Sequence, residues 1–289
     1  MIDYDYKKPE SLEEVFSLLK EYGPKATLIA GGTDVMVNIR NTKKAPEVLI
    51  SLRGLKDLRY IKKNKGYHIG ALTTHRMLEL SELVKTELSA LYDGASRIGS
   101  VQVRNVATIG GNICNAAPSA DTAGPLLVLD AQVVLEGPKG RRNVPIAEFF
   151  TGTYKTVRKQ GEVLVEFQIP AEMGHFGSAY WKHSRRKAMN LPILGIAVSL
   201  KLDDETITDA RIGLTVAAPT PVRAYKAEEF LKGKQLTGDV LKEAGKIAAS
   251  PECCSPRDSI RGEAWYRREI IEVYVARMAR LAAEKIKNR

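Results

Sequence analysis

The chain has 289 residues, of which 44% are hydrophobic and 27% are charged, and its formal net charge is +10. At roughly 100–200 residues per domain, this length corresponds to two or three domains of a globular protein. No apolar run approaches the roughly 18–20 residues that cross a bilayer, so no membrane span is expected. Lysines and arginines are spread along the chain without a nucleic-acid-binding motif, so no nucleic-acid partner is expected either. An acidic partner subunit, a bound dinucleotide or simple solubility explains the positive balance better.

The N-terminus and the cysteines both favour a cytoplasmic location. The opening Met-Ile-Asp-Tyr-Asp-Tyr lacks the basic and apolar segments typical of a secretory signal. Cys114, Cys253 and Cys254 are odd in number and include one adjacent pair. This pattern fits neither a disulfide framework nor the spacing of zinc or iron–sulfur ligands. We therefore expect reduced thiols and no bound metal.

The N-terminal segment predicts a small α/β unit. Ser11 can cap a helix, Glu14 can complete a capping box, and Gly23-Pro24 would end the helix. After this helix the pattern predicts, in chain order, a buried strand over 26–30, a Gly31-Gly32 turn, a helical turn over 33–39 and a strand over 47–52.

A second unit is predicted from about residue 57 to 170. It should contain a strand over 67–72, a helix capped by Thr74, a helix over 86–98, a polar loop over 105–121, a helix over 122–129, a hairpin over 132–145 and a strand over 163–169. The remainder places strands before helices, which is typical of a separate α+β domain. Its strands are expected at 178–183, 193–202 and 207–216, and its helices at 224–232, 239–249 and 263–286.

Two segments with adjacent glycines carry most of the chemical information. They are Ala30-Gly31-Gly32-Thr33-Asp34 and Thr108-Ile109-Gly110-Gly111-Asn112. Glycine permits positive φ and lets backbone N–H groups approach a ligand closely, and exposed N–H groups bind phosphate oxygens. Asp121 would instead accept hydrogen bonds from ribityl or ribose hydroxyls. Together the segments favour a pyrophosphate with a polyol attached, although each glycine pair alone also suits an ordinary tight turn. Neither a Rossmann fingerprint nor a P-loop is present.

With these two segments, the chain resembles the FAD-binding medium subunits of the molybdenum hydroxylases, the xanthine dehydrogenase and carbon monoxide dehydrogenase family. The resemblance also includes Gly161-Glu162-Val163-Leu164 and the segment 178–186, and it covers nearly the whole chain. It implies an α+β protein with a PCMH-type FAD-binding fold of two α/β subdomains, at 1–56 and 57–175. A C-terminal α+β domain at 176–289 would follow, with a three-stranded antiparallel sheet and a helical bundle.

The resemblance also implies which residues hold FAD. One side of the pyrophosphate would be wrapped by Leu28, Ile29, Ala30, Gly31, Gly32, Thr33, Asp34 and Val35, and the other by Thr108, Ile109, Gly110, Gly111 and Asn112. Asn115 and Asp121 would face the ribityl and phosphate region, Ile98 would lie beside the adenine, and Leu164 would pack near the flavin. Lys182 would contact the ring edge, with Trp181 as the alternative, and the loop 185–191 would lie near the exposed face of the flavin.

The function implied is electron transfer through FAD within a molybdenum hydroxylase complex. Partner chains would supply a [2Fe-2S] cluster and the molybdenum cofactor, as a dimer of heterotrimers, and electrons would leave to NAD, oxygen or a quinone. No residue of this chain is expected to be an acid–base catalyst. Two alternatives stay open, a free-standing FAD-dependent oxidoreductase acting on a small molecule and a non-enzymatic binding or assembly subunit. For His68, His75, His175 and His183 the sequence favours surface or capping roles.

Overall fold

The computed structural model describes residues 3–42 and 45–287, so the outermost residues of the expected 1–56 and 176–289 domains lie outside the described residues. The first subdomain is a three-stranded parallel sheet in the order β1-β3-β2. Its elements are β1 (Asp5–Lys7), α1 (Leu12–Tyr22), β2 (Ala26–Ile29), α2 (Val35–Thr42) and β3 (Val48–Ser51).

Helix α1 forms as its sequence predicts. The Ser11 hydroxyl accepts a hydrogen bond from the Glu14 N–H at 3.2 Å, and the Glu14 carboxylate accepts one from the Glu10 N–H at 2.9 Å. The first contact satisfies an N–H group that the first turn of a helix leaves without a partner. The second differs from the expected capping box, because Glu14 accepts from Glu10, the residue before the cap, and not from Ser11. Val15 and Leu19 on the inner face are buried against β3, which fixes α1 over the sheet.

The second subdomain is a five-stranded antiparallel sheet in the order β4-β5-β10-β6-β7, with most of its helices inserted between β5 and β6. Its first elements are β4 (Ile61–Lys63), β5 (Gly66–Gly70), α3 (His75–Leu80), α4 (Glu82–Glu87), α5 (Ser89–Ser96), α6 (Val101–Val106), α7 (Ile109–Asn115) and α8 (Ala123–Val128). The remaining elements are β6 (Gln132–Gly137), β7 (Gly140–Pro145), α9 (Ile146–Phe149), β8 (Phe150–Gly152), β9 (Lys155–Thr156) and β10 (Val163–Pro170).

Two expectations for this subdomain are wrong. The single helix over 86–98 is divided into α4 and α5, because Leu88 leaves the helical region with φ −122° and ψ 47°. The segment 105–121 is not a continuous loop, because it contains α7. The Thr108 hydroxyl accepts from the Gly111 N–H at 3.1 Å, and this cap begins a helix despite the low helix propensity of the glycine pair.

The C-terminal domain is an antiparallel sheet in the order β11-β12-β13-β14 with three helices. Its elements are β11 (Gly177–His183), β12 (Leu194–Asp203), β13 (Thr206–Thr215), β14 (Val222–Arg223), α10 (Tyr225–Leu231), α11 (Gly238–Ala248) and α12 (Ala264–Lys287). The three expected strands are present, and the two-residue β14 adds a fourth. The α+β fold class is confirmed.

Both faces of the C-terminal sheet are covered. Helix α12 packs on β11 and β12 from one side, while α5 and α8 of the second subdomain cover the other side. Side chains of β11 therefore alternate between two interiors. Ala179 and Trp181 belong to the core of the C-terminal domain, whereas Tyr180 packs against Ala90 and Val128 of the second subdomain. Lys285 of α12 also forms an ion pair with Asp93 of α5 at 2.9 Å.

Candidate functional site

A cavity of about 820 Å³ lies where the two subdomains and the C-terminal sheet meet. Its size falls within the ~300–1,000 Å³ that is usual for pockets that bind cofactors and other small molecules. All but two of the residues predicted to bind FAD line it. The exceptions are Ile29 and Ile109, whose side chains are buried in the neighbouring cores. The structure thus brings the two glycine segments to one site.

The first glycine segment follows β2 and turns sharply at Gly32, where φ is +77°. Gly31 is required for a different reason. A Cβ atom there would lie 2.2 Å from the carbonyl oxygen of Val106, so the segment rests directly on the end of α6. Asp34 lines the cavity, and burial raises the pKa of its carboxyl group above the ordinary value.

The second glycine segment is the first turn of α7, and neither of its glycines has positive φ. A Cβ at Gly110 would lie 2.7 Å from the carbonyl oxygen of Ala71, so this glycine serves contact within the protein. A Cβ at Gly111 would meet only the Thr108 hydroxyl at 3.0 Å and the Ala30 methyl at 3.9 Å. Gly111 is therefore the position in this segment that keeps space open between the two segments.

A buried ion pair lies in the wall of the cavity. The Lys182 ammonium donates to Asp121 Oδ2 at 2.6 Å and to the carbonyl oxygen of Arg97 at 3.1 Å. The Tyr180 hydroxyl donates to Asp121 Oδ1 at 2.9 Å. Burial raises the pKa of Asp121, and the Lys182 ammonium and the Tyr180 hydroxyl oppose that shift. Each oxygen of the predicted ribityl ligand Asp121 therefore already accepts a hydrogen bond from the protein.

Lys182 and Trp181, the two candidates for contact with the ring edge, lie on opposite faces of β11. Lys182 is on the face of β11 that lines the cavity. Trp181 is on the opposite face, where its ring stacks on Tyr274 with centroids 5.5 Å apart. Adjacent residues of a strand point to opposite sides of a sheet, so only Lys182 is directed toward a ligand in the cavity.

Ile98 lies at the same end of the cavity as Lys182. The Lys182 ammonium binds the carbonyl oxygen of the preceding residue, Arg97, and the N–H of Met189 contacts the carbonyl oxygen of Gly99 at 3.4 Å. Ile98 and the loop 185–191 therefore border one region. The expectations that Ile98 lies beside the adenine and Lys182 beside the flavin ring would place both ends of an extended FAD there.

Comparisons with known proteins agree with this geometry. Residues 2–172 match the family described as FAD binding domain in molybdopterin dehydrogenase, and residues 179–282 match the CO dehydrogenase flavoprotein C-terminal domain. The chain belongs to the FAD-binding subunits of the molybdenum hydroxylase family. Such a subunit is part of an oxidoreductase, and its cofactor is FAD.

Several relatives share nearly the whole length of this FAD-binding subunit. It is 35% identical over 276 residues to the xanthine dehydrogenase FAD-binding subunit of Escherichia coli O157:H7, covering 94% of each chain. It is 36% identical over 265 residues to the carbon monoxide dehydrogenase medium chain of Hydrogenophaga pseudoflava, covering 91% of each. A solved structure of carbon monoxide dehydrogenase from that organism aligns with a TM-score of 0.92, at 35% identity, over 98% of each chain.

His75 is a cavity residue for which the sequence predicted no role at the site. We expected a surface or capping role, but the side chain is fully buried at the start of α3 and borders the cavity. Neither ring nitrogen has a hydrogen-bond partner within the described residues. Burial, together with the smaller effect of the nearby Arg104 guanidinium, lowers the pKa of His75 to about 3. In the sequence, the apolar run that ends at Leu72 indicates this burial, because it places the first turn of α3 near the core.

The other three histidines are closer to expectation. His175 is exposed, and His183 contacts the Tyr266 hydroxyl at 3.0 Å. His68 has an acidic neighbour, since its Nδ1 lies 3.3 Å from Oε1 of Glu166 on the adjacent strand β10. Within residues 3–42 and 45–287, no three His, Cys, Asp or Glu side chains are grouped so that they could hold a metal ion. In the same part of the chain, no helix is long and apolar enough to cross a membrane.

The cavity residues fit FAD. A Cβ at Gly111 would lie 3.9 Å from the Ala30 methyl, so only a residue without a side chain keeps the space between the two segments free. The Lys182 ammonium has three N–H donors, and acceptors in residues 3–42 and 45–287 occupy two of them. A buried ammonium with a remaining donor suits an electronegative atom of a ligand. At the border of the same cavity, both buried ring nitrogens of His75 lack a hydrogen-bond partner among the residues that the structure describes.

Proposed function

We propose that this chain is the electron-transfer subunit of a molybdenum hydroxylase complex, placed between a [2Fe-2S] subunit and NAD, oxygen or a quinone. The observation that carries this proposal is the single cavity that both glycine segments and the buried Lys182 ammonium line. Bound FAD supplies the redox chemistry, since a flavin exchanges electrons singly or in pairs. The protein binds FAD and sets the electrostatic environment in which it reacts.

Each part of the cavity has a proposed role in holding FAD. Backbone N–H groups of 31–33 bind the pyrophosphate oxygens, which the close approach of the first glycine segment allows. The N–H groups of Gly110, Gly111 and Asn112 already donate to the Ala71 carbonyl, the Thr108 hydroxyl and the Thr108 carbonyl, so the second segment lines the site without free backbone donors at these positions. Asn115 binds the ribityl or phosphate region, and Leu164 packs on the flavin. Lys182 donates to the ring edge. Ile98 is assigned to the flavin end of the cavity rather than to the adenine, because its neighbour Arg97 binds Lys182.

The partners follow from what the chain itself provides. Its three cysteines are free thiols in this structure, and none belongs to a group of metal ligands within the described residues. We propose that separate iron–sulfur and molybdenum-cofactor subunits supply those centres, in a cytoplasmic dimer of heterotrimers. The loop 185–191 lines the cavity with its last three residues and carries Arg185, Arg186 and Lys187, which favours an acidic surface on one partner.

The isolated chain tests this proposal. We expect it to bind FAD stoichiometrically and to pass electrons from NADH or to an artificial dye, but not to oxidise the substrate of the complex. Adding the partner subunits should restore substrate oxidation. Turnover of the substrate by the lone chain would instead support a free-standing oxidoreductase. Failure to retain FAD after reconstitution would support a binding or assembly subunit.

A further inference from the structure

We propose that Asp121 is a positioning residue, which holds the Lys182 ammonium at the cavity wall so that Lys182 can set the reduction potential of FAD. This inference rests on the proposed function, because it concerns the cofactor in that cavity. It differs from the expectation that Asp121 is itself a ligand of the ribityl chain.

The hydrogen bonds of Asp121 carry the argument. Oδ2 accepts from Lys182 at 2.6 Å and Oδ1 accepts from the Tyr180 hydroxyl at 2.9 Å. The side chains of Asp121 and Lys182 are each 7% exposed. A carboxylate in this environment is more favourable next to a cation than next to a neutral hydroxyl of a ligand. Both oxygens of Asp121 are therefore held by the protein, and Oδ2 is held by the Lys182 ammonium.

Lys182 is held from two directions. Asp121 Oδ2 and the Arg97 carbonyl oxygen fix two of its N–H groups, and the third is left for a ligand. Lysine has a flexible stem of four carbons, so an ammonium group without such partners would not stay in one place. Asp121 comes from the second subdomain and Lys182 from the C-terminal domain, so the pair also joins the two parts across the cavity.

A fixed cation beside a flavin changes its reduction potential. Reduction adds negative charge to the ring system, and a nearby ammonium stabilises that charge more strongly in a buried site than in water. Loss of the cation should therefore lower the potential. Loss of Asp121 has two opposite effects. Removal of a negative charge alone would raise the potential, whereas release or deprotonation of Lys182 would lower it.

The sign of the change in Asp121→Asn thus distinguishes the two roles. We expect Lys182→Met to lower the equilibrium constant for two-electron reduction of bound FAD about tenfold, which is about 30 mV for a two-electron couple. We expect Asp121→Asn to lower this equilibrium constant as well. In the Lys182→Met background only the direct effect of the Asp121 charge remains, so Asp121→Asn should no longer lower the constant.

The measurement is spectroelectrochemical titration of bound FAD in the wild-type chain, both single variants and the double variant. Glu228→Gln is the matched control, because Glu228 forms a similarly buried ion pair with Arg223 at 2.6 Å outside the cavity lining. It should leave the potential unchanged. A higher potential in Asp121→Asn, or a further fall in the double variant, would overturn the proposal.

Folding and FAD binding are measured on the same samples. Asp121→Asn leaves a buried ammonium without its carboxylate, so its midpoint temperature of unfolding should fall further than that of the double variant. If Asp121→Asn does not fold, the double variant still decides. Equal reduction potentials in the double variant and in Lys182→Met support the proposal. An equilibrium constant for FAD reduction that is tenfold higher in the double variant than in Lys182→Met shows a direct effect of Asp121 and overturns the proposal. If the wild-type chain binds no FAD, the proposed function has failed.

Discussion

The two glycine-pair segments have similar sequences but different backbones. In the first, Gly32 adopts φ +77° in a turn between β2 and α2. In the second, Gly110 and Gly111 form the first turn of α7. In each segment one glycine is required for contact with another part of the protein, Gly31 with Val106 and Gly110 with Ala71. A glycine pair therefore does not by itself indicate that both residues face a ligand.

The largest effect is expected from Gly31→Val, which tests whether this glycine serves folding. Its Cβ would lie 2.2 Å from a backbone oxygen, so the first segment would have to move away from α6. We expect the free energy of unfolding to fall by about 3 kcal/mol or more, as for other severe overpacking. Urea denaturation without FAD measures it. Wild-type stability would show that the two segments are not packed as described.

His75 lies next to the second glycine segment, because its backbone N–H donates to the carbonyl oxygen of Ala107. Its pKa falls from 6.5 to about 3 on folding. The unfolded chain therefore binds the proton more tightly, so stability is full above about pH 6.5 and is lost as pH falls toward 3. The loss should reach ~3 kcal/mol at pH 4.

Denaturation of His75→Leu across that pH range measures this contribution. Between pH 7 and pH 4 the free energy of unfolding of this variant should fall less than that of the wild-type chain, since leucine has no buried imidazole to protonate. His175→Leu, which replaces an exposed histidine, serves as the control and should follow the wild-type curve. Parallel curves for all three proteins would contradict a buried neutral His75.

Gly111→Val tests the opposite case, a glycine that faces the cavity and not another part of the protein. An added Cβ meets no backbone atom outside α7 within 4 Å and approaches only the Thr108 hydroxyl closely, so the variant should fold. It should weaken FAD binding at least tenfold, or about 1.4 kcal/mol, by filling the space between the segments. Flavin released from purified protein and titration of the apoprotein give the measurement. Gly111→Ala should show a smaller loss in the same assay.

The smallest effect is expected at Gly32. Alanine at φ +77° should cost about 1 kcal/mol in the free energy of unfolding, because an L side chain is strained in that region. Asparagine tolerates this conformation better, so Gly32→Asn should be the more stable variant. Chemical denaturation of the two apoproteins compares them. A larger loss for asparagine would show that space near Ile29 and Met36, rather than φ, limits this position.

Local signals account for much of what the sequence predicts. The Ser11 cap, the 132–145 hairpin and the long C-terminal helix depend on neighbouring residues, and all three are present. Helix α7 was missed because its helical form depends on a Thr108 cap and on contact with Ala71, which is distant in sequence. Strand β14 is only two residues long and pairs with β13, so no periodicity could reveal it.

The candidate site likewise has features that the sequence predicts and features that depend on contacts between distant segments. Most of the residues that the resemblance and the glycine pairs predict to bind FAD line the cavity. The pairing of Asp121 with Lys182 and the burial of His75 depend on how distant segments fold together. A single sequence gives the types of these residues but not the distances between them.

The C-terminal sheet, covered on one face by α12 and on the other by α5 and α8, limits how this subunit can be rearranged. A cut near residue 176 would leave Ser178, Tyr180 and Ala197 without the helices that bury them. The last domain is thus not a module that recombination or engineering can exchange alone. A functional chimera between two such subunits would have to inherit α5, α8 and the C-terminal sheet from the same parent.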